Sequence, residues 1–302
     1  MSFVLILTIG LLLSSAHFVS DLHSPSLFLI KASLIPITLI TILLCGIYAI
    51  RKKQWITTVA VSLLIIANVP FILPLANKSQ QYERKNTLSV ATFSAMTRTR
   101  NTSDILAFLE KHQPDIVCLQ ELTKSDRISL IDSSGSEYPF FNQNENNQIT
   151  LSKYPLTEIE DAGAYQINLL THPNLGKVKL VNVHLPRPYN ESGVPVVWQS
   201  LLSKLDDGSM AIMCGDFNIT PNNSLYEVLT YQFNFDDSLT QGYGFTFPNS
   251  QRKIALLGAW FRIDFIFSRD LQALETITMN ISEKSDHRAV LSYFHIEETN
   301  SQ

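Results

Sequence analysis

AIMCGDFNIT, residues 211–220, opens as a core strand and then departs from that pattern. Ala211 to Cys214 is apolar, but Gly215, Asp216, Phe217 and Asn218 follow. Strand side chains alternate between faces. Continued extension would therefore aim Asp216 and Asn218 the same way, a carboxylate beside an amide at the carboxyl end of a buried strand. The glycine before them lets the backbone come close to whatever they serve. The competing reading is local: an Asx-type turn in which Asp216 bonds back onto its own backbone.

Working outward, four other apolar runs carry polar groups in the same manner. DIVCLQEL (115–122) closes with Gln120 and Glu121, and KLVNVHLPRP (179–188) sets Asn182 and His184 two apart on one strand face. FRIDFIFSR (261–269) embeds Asp264 among apolar neighbours, and KSDHRAVLSYF (284–294) places Asp286 and His287 just ahead of a strand. Each has a plain structural explanation by itself: an exposed strand end, a hydrogen-bonded core histidine, a satisfied buried carboxylate, a turn or a cap. Taken together they require five coincidences. Carboxylates gathered from several strand ends can bind a hard cation through oxygen. Two histidines, each with a carboxylate or amide partner, can be oriented for proton transfer. The chain has no serine nucleophile elbow, no glycine-rich phosphate loop and no Cys/His zinc spacing. The residue types therefore point to metal-assisted hydrolysis of a phosphate ester.

The rest of the carboxyl-terminal two thirds reads as strands and helices in alternation. Strands are expected at Leu88–Phe93, Ile116–Gln120, Ile149–Ser152, Val178–His184, Met210–Cys214, Ile263–Phe267 and Ala289–His295. Ser103 reads as the N-cap of a helix over Asp104–His112 that Pro114 stops. Val196–Leu205 and Ser224–Thr230 are further helices, the latter behind Pro221. Many strands with few helices imply sheets covered by helices. Residues 242–260, GYGFTFPNSQRKIALLGAW, form the expected specificity segment by position and aromatic content, with a packed connection as the alternative.

The first 76 residues differ in kind, because they hold four basic residues and one acidic. The apolar stretches 3–19, 26–50 and 54–76 are long enough for three membrane helices, with Lys31 snorkelling from the second. No basic residue precedes the first, unlike a secretory signal. Arg51, Lys52 and Lys53 between the second and third favour the cytoplasm, which places the remainder outside it. Residues 77–87 read as a linker and 88–298 as a catalytic domain. Of 23 basic and 27 acidic residues in all, 19 and 26 lie in 77–302, a net charge of −7. That excludes the broad basic surface of a non-specific nucleic-acid binder. The cysteines, Cys45, Cys118 and Cys214, form neither a disulfide framework nor a zinc pattern. Two buried thiols are expected at Cys118 and Cys214, with a bridge between them as the alternative in an oxidising space.

The ordered set QE, LSKYPL, NVHL, GDFN, RIDFIF and SDHRAV resembles the endonuclease/exonuclease/phosphatase superfamily, the DNase I-like fold, from about Leu88 to Ile296. The resemblance implies a four-layer α/β sandwich of two facing mixed sheets flanked by helices, here behind a transmembrane helical region in a bacterial-type member. It also implies a hydrolase dependent on Mg²⁺ or Mn²⁺. By the same resemblance Glu121 and Asp286 would sit at the metal, and Asp216 and Asn218 would orient water and contact phosphate. His287 would pair with Asp264, and His184 would bond the scissile phosphate or assist the leaving group. Arg187 and Asn182 are weaker candidates for substrate contact. Ser94 stands where family members carry Asn, and its hydroxyl is still an oxygen ligand.

The expected protein is thus a multi-pass inner-membrane phosphodiesterase or phosphatase with an extracytoplasmic catalytic domain. Its substrate would be a lipid headgroup, a small phosphodiester or nucleic acid, and no protein partner is inferable. A nuclease of the same fold and a catalytically inactive anchored binding protein are the alternatives, the last resting on Ser94 alone.

Overall fold

A computed structural model describes residues 25–52, 86–96, 102–187, 195–249 and 259–297, with a few isolated positions before residue 25 and Ser62. In chain order the elements are α1 (Pro25–Ala32), α2 (Leu34–Lys52), β1 (Thr87–Ser94), α3 (Thr102–His112), β2 (Ile116–Gln120) and α4 (Lys124–Ser134). Then come β3 (Phe140–Gln143), β4 (Ile149–Ser152), β5 (Leu156–Asp161), β6 (Tyr165–His172), β7 (Gly176–His184) and α5 (Val196–Leu205). The last are β8 (Ala211–Asp216), α6 (Ser224–Glu227), β9 (Asp236–Asp237), β10 (Asp264–Arg269), β11 (Ala273–Met279) and β12 (Ala289–His295). They fall into two compact units. One holds α1 and α2 with residues 219–227, and the other holds all the described strands.

The strand-bearing unit contains two six-stranded sheets, ordered β11-β12-β1-β2-β4-β3 and β5-β6-β7-β8-β10-β9. Each is mixed by a single parallel pair, β1 with β2 and β7 with β8, the rest being antiparallel. Alternation along the strands explains why the sheets face each other. Leu88, Val90, Ile116 and Cys118 from the first sheet meet Leu180, Ile212, Cys214 and Ile266 from the second. The opposite face of the first sheet offers Ala91, Phe93, Val117 and Leu119, which α3 covers with Ile105, Phe108 and Leu109 and α4 with Leu130. Beyond the second sheet α5 buries Trp198, whose ring lies 6.2 Å from Phe217. At about 1.5–3 kcal/mol for each fully buried large apolar side chain, the layers are stabilised along their length, which leaves the strand ends available for polar groups.

Several expectations need correction. Strands β3, β5, β6, β9 and β11 and helix α4 lay in segments read as turns or connections, and β8 runs two residues further, to Asp216. Ser103 is not the cap of α3, because that helix already includes Thr102, whose hydroxyl donates to Asp126 at 2.9 Å. The helix begun at Ser224 gives way at Val228 to a π-turn ending at Gln232. Cys118 and Cys214 are not two free thiols. They form a disulfide linking the facing sheets, with Cα atoms 6.1 Å apart. Thr87, placed in the linker, already pairs with His295 in β1; residues 77–85 lie outside the described residues.

In the other unit the stretch 26–50 is two helices rather than one. Ser24 caps α1 by accepting from the Leu27 amide at 3.2 Å, and α1 ends at Ser33. Pro36 lacks the N–H that would bond back to residue 32, so it suits the first turn of a new helix and not the middle of an old one. Among the described residues no single helix is long and apolar enough to cross a membrane; residues 26–32 and 37–48, bent by 67°, pass that test only together. Nearly all of 3–19 and 54–76 lies outside the described residues. Lys31 does not snorkel. It is buried, with Nζ 3.7 Å from Asp21 and within 3.3 Å of the Val19 carbonyl and the Ser224 hydroxyl. Asp21 in turn accepts from the Ser224 amide at 2.8 Å and the Asn223 side chain at 2.6 Å.

Candidate active site

Strand register builds the site. In the second sheet His184 lies opposite Asp216 on the β7–β8 pair, and Asp216 lies opposite Asp264 on the β8–β10 pair. Three adjacent strands therefore present His, Asp and Asp in one row. In the first sheet Ser94 lies opposite Gln120, and the chain leaves β2 through Glu121 with φ +57°. That left-handed conformation is uncommon outside glycine. It accompanies a Glu121 carboxylate 3.4 Å from His184 Nε2, across from the other sheet.

Asp216 resolves the alternatives posed by GDFN by satisfying both. Its carboxylate accepts from the Asn218 amide at 3.0 Å, which is an Asx turn, and Asn218 has φ +52°. Extended geometry does not persist, yet both side chains line one cavity of about 1000 Å³. The Asn218 side-chain amide donates to the Leu185 carbonyl at 2.9 Å. Gly215 has a strict steric reason, since a Cβ there would lie 2.0 Å from the Val183 carbonyl oxygen. It brings β8 against β7.

His287 Nδ1 lies 2.9 and 3.1 Å from the two oxygens of Asp264, which is almost fully buried. Its Nε2 lies 3.8 Å from both Asp216 and Asp286. Burial opposes a charge on this imidazole, but the fields of Asp264 and Asp216, the Asp264 hydrogen bond and Asp286 outweigh it and raise its pKa to about 10. Burial, with repulsion from Asp264, lifts Asp216 to about 6 against the pull of His287 and His184. His184 is raised as well: burial opposes its charge, while the hydrogen bond to Glu121 and the field of Asp216 prevail.

Glu121, His184, Arg187, Asp216, Asn218, Asp286 and His287 all line the cavity. Asn182 does not. It is fully buried between the sheets, accepting from Gln120 at 2.8 Å and donating to the Ile149 carbonyl at 3.0 Å, so it braces the strands instead of touching substrate. Ser94 is also buried and outside the lining; its carbonyl accepts from the Ser285 hydroxyl at 2.7 Å. Of the expected specificity segment 242–260, residues 250–258 lie outside the described residues, and none of the described ones lines the cavity. Phe247 packs on His287 at 5.2 Å, and the Asn249 amide donates to the Asp286 carbonyl. The sequence reading missed Met96, Asn146, Asn147, Gly163 and Val197, which also line the cavity. Glu145-Asn146-Asn147 carries only a turn signal, and nothing in it indicated that the turn reaches a site.

The sequence profile of the endonuclease/exonuclease/phosphatase family matches residues 90–287, a span that contains every one of these cavity residues. The chain belongs to that family. Among solved structures, an endonuclease/exonuclease/phosphatase from Bacteroides vulgatus is similar with a TM-score of 0.55 at 17% identity, covering 70% of this chain and 100% of that one. A beta toxin from Staphylococcus aureus follows at 0.51 and 13%, covering 68% and 99%. A truncated TDP2 from Caenorhabditis elegans reaches 0.51 at 18%, covering 69% and 98%. At such identities these likenesses show the fold. No curated protein matches at a significant level.

Endonuclease/exonuclease/phosphatase proteins generally hydrolyse phosphoester bonds, nucleic acid among them, and typically depend on a divalent metal. The donors present here fit one. Single ligand atoms from Glu121, His184 and Asp216 lie within 4.8 Å of one another, as do those of Asp216, Asp264 and His287. The carboxylates are hard oxygen donors of the kind Mg²⁺ prefers. Among the described residues, the Ser94 hydroxyl, buried at the strand end beside Gln120, has no hydrogen-bond partner.

Proposed function

We propose that this protein is a membrane-anchored phosphoester hydrolase that uses Mg²⁺ or Mn²⁺ and a water molecule. The observation that carries this reading is the convergence of Glu121, His184, Asp216, Asn218, Asp286 and His287, from strand ends of both sheets, on one open cavity. A divalent cation held by Glu121, Asp216 and Asp286 would supply Lewis-acid stabilisation of phosphoryl charge. The chain's own groups do the rest. The buried Asp264 beside it favours the imidazolium of His287, whose Nε2–H is placed to donate to a phosphoryl oxygen as negative charge grows there. Asp264 fixes that imidazole's orientation through Nδ1. Asp216 and Asn218, locked by their Asx turn, orient the attacking water. His184, its pKa raised beside Glu121, serves the leaving oxygen, and Arg187 is placed to meet substrate charge.

Two observations support anchoring with the catalytic unit outside the cytoplasm. Helices α1 and α2 expose Leu29, Ile40, Leu43, Leu44, Ile47 and Ile50, an apolar surface suited to lipid. The Cys118–Cys214 bridge belongs to an oxidising compartment. Lipid headgroups and small phosphodiesters fit an acidic protein beside a bilayer better than DNA does.

The test uses the full-length chain with Mg²⁺ or Mn²⁺ against a generic phosphodiester, a phosphomonoester, DNA and phospholipid vesicles, beside Asp216→Ala and His287→Ala. At least one substrate is hydrolysed, only with metal, and both variants lose at least ~10²-fold. Turnover untouched by either substitution sinks the site. Preference for DNA replaces the lipid reading with the nuclease one.

A further inference from the structure

Arg127 is a buried cation with no carboxylate among its hydrogen-bond acceptors in the described residues. It sits one turn into α4, near the end where the helix dipole disfavours positive charge, and it is 5% exposed. Burial pulls its pKa down. Its Nη1 donates to the Leu122 carbonyl at 2.8 Å and to the Asn147 side-chain oxygen at 3.1 Å, and its Nε donates to Gln143 at 3.3 Å. All three acceptors are neutral. A charge buried this way is costly unless each of its hydrogen bonds matters.

The placement of these acceptors gives the reason. Leu122 directly follows Glu121, and the Leu122 amide donates to the Asn147 carbonyl at 2.9 Å. Glu121 at φ +57° and Asn147 at φ +69° are both left-handed, and both line the cavity. One guanidinium thus ties the bend that carries the Glu121 carboxylate to the turn that forms the facing wall. We infer that Arg127 is a positioning residue that aims Glu121 at the metal site. A lysine in its place offers three donors on one compact nitrogen and lacks the planar fork that holds Leu122 and Asn147 from Nη1 and Gln143 from Nε at once.

This inference rests on the reading of Glu121 as a metal ligand, and the test separates the two. Mn²⁺ binding to the full-length chain is measured by calorimetry or by the paramagnetic resonance of free Mn²⁺. It is compared among the wild type, Glu121→Ala, Arg127→Lys and Arg127→Met, with thermal melting of each metal-free protein. Arg127→Lys and Arg127→Met each weaken Mn²⁺ binding by about ten-fold or more, within the range for residues that orient a ligand. Raising Mn²⁺ restores part of the lost turnover in both. Arg127→Met removes the buried charge altogether, so it remains informative if the lysine variant does not fold. Wild-type Mn²⁺ affinity in a folded Arg127 variant overturns the positioning role while leaving the site intact. A wild type that binds no Mn²⁺, or that binds it no better than Glu121→Ala, overturns the metal site and this inference with it.

Discussion

Replacing Asp264 with Asn tests the chemistry of the site more directly than any other single change. The substitution keeps the size of the side chain and one oxygen acceptor, and removes only the charge. Asp264 is 1% exposed, with an oxygen 2.9 Å from His287 Nδ1. Coulomb's law at that distance, with an effective dielectric constant near 20, puts the pair's attraction at about 6 kcal/mol as a ceiling. A neutral hydrogen bond to Asn returns about 1 kcal/mol, and breaking buried pairs in general costs ~3–5 kcal/mol. At 1.36 kcal/mol per pKa unit the loss is about 2–4 units, which takes His287 from about 10 to near or below neutrality. The assay is a titration of the His287 ring in the metal-free chain by NMR, followed by turnover at saturating metal. Asp264→Asn lowers the transition, and kcat falls by about 10²–10⁴-fold if the imidazolium is the acting form. The stability consequence has a definite sign. A histidine raised to about 10 contributes stability that is complete below pH 6.5 and disappears as pH rises toward 10. Asp264→Asn narrows that window from its alkaline end. An unshifted His287 titration, or a folded variant within five-fold of wild-type kcat, refutes the reasoning.

Two further changes have definite expected outcomes. The Cys118–Cys214 bridge closes a separation of 96 residues, for which loop entropy alone gives about 4.7 kcal/mol; the Cys118→Ala/Cys214→Ala chain should therefore melt about 10–20 °C lower. A drop under about 2 °C, or alkylation of both thiols without reductant, contradicts the bridge. Gly215→Ala forces a methyl to within 2.0 Å of the Val183 carbonyl and so pushes β8 from β7 exactly where His184 faces Asp216. Displacements of this kind cost on the order of 10²-fold in turnover, and a folded Gly215→Ala chain with wild-type kcat would show that the close approach is dispensable.

Legibility in the sequence followed the strength of local pattern. β1, β2, β4, β7, β8, β10 and β12 are short apolar runs closed by turn residues, and all seven were expected within a few residues of where they lie. β6, with Gln166 and Asn168 buried among its apolar residues, reads as neither alternating nor continuous, because the space between the sheets beneath the site is itself polar. The same polar seam misplaced Asn182. Its two-residue spacing from His184 is visible in the chain, but which neighbours absorb its amide is not. α4, KSDRISLIDSS, has too few apolar positions to show a face, and so the only helix that carries Arg127 went unread.

From residue types and order alone came the fold family, the strands, and the set of carboxylates, histidines and amide that the cavity gathers. These depend on local propensity and on chemistry that needs particular side chains, and both are written along the chain. The tertiary structure decided three further points: that Asp216 makes its turn and lines the cavity at once, that Cys118 meets Cys214, and that Arg127 reaches past Leu122 to Asn147. Each is a meeting of groups fixed by sheet register and by how the two sheets face each other. Those depend on the summed packing of side chains far apart in sequence, and no local stretch records them.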